Sequence, residues 1–251
     1  MTDVTMSKNP YVGPRAFTES NQTTFFGREA EARDLISLVI SEQLVIFSAQ
    51  SGAGKSSLIN ARLIPSMRER GFHVLPSGRL AGEPAESSTA IENIFTFNLL
   101  RSIDQRQRSA ESLAQMSIYE FLESEKEYVA AEGESEQVST VLVIDQFEEI
   151  VTTHLKHWQA RSQFFTQLND ALTQNDLLWI LLVLREDYVP EIEPYARLLL
   201  GRLQARFYMP RMERQAALMA IKEPAKLGKR PFSTGSAELL ADNLRQLQSQ
   251  Q

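Results

Sequence analysis

Apolar residues along this chain fall into two patterns. Short unbroken runs recur at Leu44-Val45-Ile46-Phe47, at Val141-Leu142-Val143-Ile144 and from Leu177 to Leu184. Runs of this length without polar alternation suit strands covered on both faces of a parallel sheet. Elsewhere the apolar positions repeat with helical spacing: Ala32, Leu35, Ile36 and Val39; Leu58, Ile59, Ala61 and Leu63; Ile91, Ile94, Phe95, Leu99 and Ile103. The same spacing returns at Trp158, Phe164, Phe165, Leu168 and Leu172, and at Ala237, Leu240, Ala241, Leu244 and Leu247. Shorter strands are expected at 72–75, entered through Gly71, and at 206–210. Strands alternating with helices predict an α/β fold of three layers around a mostly parallel central sheet.

The segments that break the pattern are read by their turn formers. Residues 1–24 begin polar and continue Asn9-Pro10-Tyr11-Val12-Gly13-Pro14-Arg15-Ala16-Phe17, an extended arm laid on the domain. Residues 76–90, rich in Pro, Gly, Ser and Glu, read as a loop. From Asp104 to Ser139 the chain turns polar and acidic around a weak helix at Ile118, Phe121 and Leu122, and an exposed excursion is expected. Arg211 to Lys226 reads as a helix interrupted or ended near Pro224.

Candidate chemistry begins where the first aliphatic run ends. Ala49-Gln50-Ser51-Gly52-Ala53-Gly54-Lys55-Ser56-Ser57 lies between a predicted strand and a predicted helix, the context of a phosphate-binding P-loop. Backbone N–H groups of such a loop curl around an anion, and the following helix adds its dipole. Lys55 is placed to reach the β- and γ-phosphates of a nucleotide, and the Ser56 hydroxyl to ligate Mg²⁺. Ala49 stands where the pattern has its first glycine, which requires a negative φ there. The second aliphatic run ends in Asp145, at the strand edge where ligands of parallel sheets sit, so Asp145 is the expected partner of Ser56 at the metal. Arg185 follows the third run at the same edge. It is placed either to sense the γ-phosphate or to pair with Glu148, Glu149 or Asp187. Phe25 and Phe26 either staple a helix start or wall an adenine ring. His154 and His157 have metal-compatible spacing without a third ligand and read as a solvated pair.

Bulk properties narrow the class. The 251 residues carry a formal net charge of −6, which gives no support for a nucleic-acid or anionic-membrane surface. Zero cysteines exclude disulfides and thiol chemistry and fit a reducing cytoplasm. No signal-peptide pattern is visible, and the longest apolar run is too short to span a bilayer. No guanine-reading Asn/Thr-Lys-x-Asp motif and no Leu-Ser-Gly-Gly signature occurs, which argues against a GTPase and a transporter ATPase.

Four segments in order resemble the STAND class of P-loop NTPases, specifically the novel STAND NTPase 1 group, related to AAA+ and NACHT ATPases. They are Asn9-Pro10-Tyr11 through Phe17, Phe26-Gly27-Arg28-Glu29, Asp145-Gln146-Phe147-Glu148-Glu149, and Glu223-Pro224-Ala225 through Gly228. The resemblance implies an ATP-driven signalling switch of regulation or defence. It implies adenine contacts from the Phe25–Glu29 turn, with Phe26, Gly27 and Arg28 as its binding residues, a sensor role for Arg185, and a helical lid after Arg211. The division expected is an arm at 1–24, an NTPase core at 25–210 and an apparently incomplete lid at 211–251, the module of a larger system. Gln146 occupies the position where AAA+ motors place a catalytic Glu, so Glu148 or Glu149 is left to orient or deprotonate water. If the strand continues, Glu149 shares a face with Asp145 and is favoured. Slow hydrolysis, ATP-dependent closure and self-association, or a sensor or effector partner, follow as expectations. A nucleotide-holding scaffold without turnover remains the alternative.

Overall fold

The computed structural model describes residues 9–82, 90–131 and 138–248. The polar start of the arm, residues 83–89 of the predicted 76–90 loop, the acidic stretch 132–137 and the last three residues lie outside that description, as does the side chain of Leu247. Five strands form one all-parallel sheet: β1 (Leu44–Ala49), β2 (His73–Val74), β3 (Thr140–Ile144), β4 (Leu178–Arg185) and β5 (Arg206–Met209), in the spatial order β2-β3-β4-β1-β5. The sheet is parallel because every connection returns through helical chain.

Strand parity builds two cores. Val45, Phe47, Val141, Val143, Leu181 and Val183 point to one face, and Ile46, Leu142, Ile144, Ile180, Leu182 and Leu184 to the other. Such strands have no solvent face to pattern, so their sequence shows no alternation. Helix α1 (Glu29–Ser41) buries Ala32, Leu35 and Val39 on the first face. Beside it runs the rod that follows β1: α2 (Lys55–Leu58), a π turn (Ile59–Leu63) and α3 (Ile64–Glu69). The second face is covered by α4 (Ile94–Ile103), α5 (Ala110–Ala114), α6 (Ile118–Ala131), a short α7 (Glu149–Thr152), α8 (Ala160–Gln174) and α9 (Val189–Ile192). Helices α10 (Arg214–Leu227) and α11 (Ser236–Gln248) pack on each other beyond β5, at the end of the sheet where the strands finish. The result is the three-layer α/β architecture expected from the pattern, with helices added at its C-terminus.

Two expectations change. The 104–131 segment is part of the core: Leu113, Ile118, Phe121 and Leu122 are buried and α6 packs on α8. Its polar composition is misleading because the charges satisfy one another. Arg108 pairs with Asp104 and Glu125 and lies over the Phe121 ring, and Glu125 is itself buried. Helix α10 does not stop at Pro224 but runs a further turn to Leu227, with Pro224 buried inside it.

Candidate nucleotide-binding site

The loop after β1 has the backbone that its sequence calls for. Ala49 is the last residue of β1, buried and paired with both Arg185 and Met209, so an extended backbone there accepts a methyl group without strain. Glycine is needed further on, where Gly52 and Gly54 have φ of +72° and +95°. Gln50, Ser51 and Ala53 complete the curl, and Gly54 starts the helical rod, its carbonyl accepting from the Leu58 N–H at 3.0 Å. Lys55 folds back over the loop, donating to the carbonyls of Ala49 and Gln50 at 3.2 and 3.3 Å. Burial lowers its pKa, opposed by the nearby carboxylates of Glu148 and Asp145.

Strand order explains how distant residues meet. β4 lies between β1 and β3, so the loop and Asp145 leave strands that are not neighbours, roughly 10 Å apart. The loop and its helix curl across the end of β4, and Ser56 Oγ donates to Asp145 Oδ2 at 2.7 Å. Arg185, at the end of β4, sits between them. Its N–H donates to Glu148 Oε2 at 3.3 Å, while its guanidinium pairs with Asp187 and lies 5.2 Å over the Tyr188 ring. That pairing holds the Asp187 carboxyl below its ordinary pKa. Lys55, Ser56, Ser57, Asp145, Glu148 and Arg185 therefore line one cleft of 470 Å³, with Gln146 at its rim.

The two candidate acids separate. β3 ends at Ile144, and Gln146 turns with φ of +55°, so the alternation that would align Glu149 with Asp145 does not continue. Glu149 is buried at the start of α7, outside this cleft. There it pairs with Arg79 and accepts from the N–H groups of Leu80 and Ala81 at 2.9 and 2.7 Å. Gln146 is held by the same arginine, its side-chain oxygen accepting at 2.6 Å. Sequence reading favoured Glu149; the structure places Glu148, and not Glu149, in the cleft with Lys55, Ser56 and Asp145. Arg79 had no signal in the sequence, because it lies in an otherwise featureless loop.

A second cleft, of 360 Å³, opens on the other side of Ser51 and Gly52, floored by Arg28 and roofed by Ala217, Ile221 and Ala241 of the C-terminal helices. Arg28 is buried, ion-paired with Glu31 and donating to the Ala53 carbonyl at 3.3 Å. Its Nε has no partner among the described residues and is a free donor beside the cleft. Gly27, at φ of +85°, passes so close to the Ala216 carbonyl that a side chain would collide with it. Phe26 is half-buried and does not line the cleft. Phe25 fills the staple role, buried edge-on against Phe17 at 5.0 Å with Arg62 over its ring. Arg211, taken from the sequence only as the start of a helix, lines this cleft and donates to the Gln50 side chain.

Ser56 and Asp145 offer one hydroxyl and one carboxylate, the hard oxygen donors that Mg²⁺ accepts alongside phosphate oxygens and water. Among the described residues no group of three or more His, Cys, Asp or Glu could hold a metal. His154 and His157 are not the solvated pair expected: His154 is half-buried, its ring packs on Phe95 and it lies 3.1 Å from the Asn98 amide. No helix among the described residues is long and apolar enough to cross a membrane.

An all-parallel sheet in this order, with a lysine-bearing loop and an acidic strand end converging over β4, defines a P-loop NTPase. The chain belongs to the Novel STAND NTPase 1 family, whose model matches residues 10–250. Comparison with curated proteins finds no match. Among solved structures, the Walker-type ATPase of Pyrococcus abyssi superposes with a TM-score of 0.62 at 15% identity, over 94% of this chain and 67% of that one. The Aeropyrum pernix ORC2 protein in its ADP form gives 0.53 at 14% identity, over 94% of this chain and 60% of that one. Its ADPNP–ADP complexes give 0.52 at 12% identity, over 80% and 52%. This chain thus spans about half to two thirds of their lengths, and at these identities the likeness is one of fold.

Proposed function

We propose that this chain binds ATP with Mg²⁺ and hydrolyses it slowly, as the nucleotide switch of a cytoplasmic signalling or defence system. The observation that carries this reading is the Ser56–Asp145 hydrogen bond, set in one cleft with Lys55, Glu148 and Arg185. The ORC2 structures hold ADP and an ATP analogue, which supports adenine nucleotides as the ligand class. Residues 25–210 serve as the core, 1–24 as an arm across it and 211–251 as a lid whose Ala217, Ile221 and Ala241 cover the base.

Lys55 leaves the two loop carbonyls to neutralise the outer phosphates, which provide the same bonds with full charge. Ser56 and Asp145 hold Mg²⁺, which when bound polarises the phosphoryl oxygens as a Lewis acid. Glu148 orients the attacking water and accepts its proton, and Arg185, released from Asp187, offsets charge developing on transfer. Each of these groups has a prior partner to leave, and Gln146 adds no acid. This favours slow turnover, which times a state rather than driving a stroke. Closure of α10 and α11 over the base then presents a changed surface for self-association or for a sensor or effector partner.

The test is nucleotide binding and phosphate release by the purified chain, with Lys55→Ala as control. Binding and release in the parent, both lost in the variant, are expected. Unchanged ATP affinity in Lys55→Ala would refute the site, and binding without any release would leave the nucleotide-holding scaffold as the function.

A further inference from the structure

The arm is fastened at two places, one on each side of the phosphate cleft. At its start, Tyr11 Oη donates to the Ile221 carbonyl of α10 at 2.6 Å, and the Pro10 ring lies against Gly228, 3.2 Å from where a Cβ would stand. At its end, the Phe17 N–H donates to Ser57 Oγ at 3.2 Å, and the Phe17 carbonyl accepts from Asn60 Nδ2 at 3.1 Å. Ser57 and Asn60 belong to the helical rod that follows the Lys55 loop. The chain between the two anchors must cross the cleft, and Pro14, Arg15 and Ala16 form part of its wall.

The other arginines around the two clefts are already engaged. Arg28 is paired with Glu31, Arg185 with Asp187 and Arg79 with Glu149, and Arg211 is bonded to Gln50. Arg15 is exposed and has no hydrogen bond or ion pair among the described residues, although Asp145 and Glu148 line the same cleft. An unpaired guanidinium in the wall of the cleft that holds the Lys55 loop, on a segment tied to both the loop helix and α10, needs only an anion to fix it.

We propose that Arg15 binds the terminal phosphate of a nucleoside triphosphate, making the arm a strap that reports the number of phosphates to the C-terminal helices. The inference rests on the reading of the cleft given under Proposed function. When triphosphate occupies the loop, the Arg15 fork closes onto it and the arm stiffens between Ser57 and Tyr11. With diphosphate the outermost oxygens are missing, and the guanidinium stays in solvent. The link to α10 through Tyr11 then biases how closely that helix sits over the base.

The experiment compares Arg15→Ala and Arg15→Lys with the parent chain, measuring affinities for Mg-ATP and Mg-ADP together with hydrogen exchange of the arm amides. For Arg15→Ala we expect roughly a tenfold loss of ATP affinity, the order of one charge-assisted bond, with ADP affinity changed less than about threefold. Arg15→Lys restores part of the difference. ATP, but not ADP, slows exchange of the arm in the parent and fails to do so in Arg15→Ala. Because Arg15 makes no bond in the free chain, thermal stability without nucleotide stays unchanged, which separates a binding role from a structural one. Equal ATP affinity in parent and Arg15→Ala, or equal losses for ATP and ADP, overturns the proposal. A parent chain that binds no ATP overturns the underlying reading as well, so the two failures are distinct.

Discussion

Gly27→Ala offers the sharpest test of how the C-terminal helices sit on the core. Gly27 has φ of +85°, and a Cβ there would stand well inside contact with the Ala216 carbonyl oxygen and 3.1 Å from its carbon. The backbone strain of an L-residue in this region costs about 1–2 kcal/mol. The collision is with main chain, which has no rotamer to change, so α10 must move by a sizeable fraction of an ångström; overpacking of this kind costs about 1–3 kcal/mol. Together they predict about 2–5 kcal/mol of destabilisation. Gly71→Ala is the matched control, since Gly71 has φ of +83° and nothing within 4 Å of its Cβ position, leaving strain alone. The assay is denaturant unfolding of both variants with nucleotide titration. For a domain of this size each kcal/mol is worth about 2–4 °C in Tm, so the difference is also visible by heating. Displacing Ala216 shifts Ala217 and Ile221, which roof the cleft beside Arg28 proposed to take the base, so ATP and ADP should weaken alike in Gly27→Ala and not in Gly71→Ala. Equal stability of the two variants with intact nucleotide affinity would refute the close approach.

Two further predictions concern side chains with contrasting duties. Glu149→Ala removes the acceptor of the Leu80 and Ala81 N–H groups and leaves Arg79 unpaired, with an expected stability loss of about 2–4 kcal/mol, whereas Glu148→Gln keeps stability and lowers phosphate release. The reverse result, with Glu149→Ala stable and Glu148→Gln fully active, would return the catalytic assignment to Glu149. Burial, aided by the neighbouring His157, lowers the His154 pKa. The unfolded chain therefore takes up a proton near the ordinary value of about 6.5 while the folded chain resists it, so stability is lost as pH falls through and below that value. Unfolding midpoints measured from pH 8 down to pH 5 should fall less steeply in His154→Gln; an identical slope contradicts the assignment.

Much of the core was legible in residue pattern. β1, β3 and β4 were visible because a strand buried on both faces has nowhere to place polar residues, and their ends located Asp145 and Arg185. The Lys55 loop was visible because positive φ at Gly52 and Gly54 leaves little choice of residue. The burial of α6 was hidden because its charges cancel in three dimensions, as Arg108 does with Asp104 and Glu125.

By itself the sequence determined everything that rests on local chemistry: which segments are strands, where a left-handed loop residue must fall, and which side chains emerge at strand ends. Only the tertiary structure decided which partners these meet. It set β4 between β1 and β3, turned Glu149 toward Arg79 and brought Glu148 into the cleft of Lys55, placed Gly27 against Ala216 and set Arg15 in the wall of the Lys55–Asp145 cleft. The reason is physical. Backbone preference acts over a few residues, whereas these contacts join groups far apart in the chain and arise only when both faces of the sheet are packed.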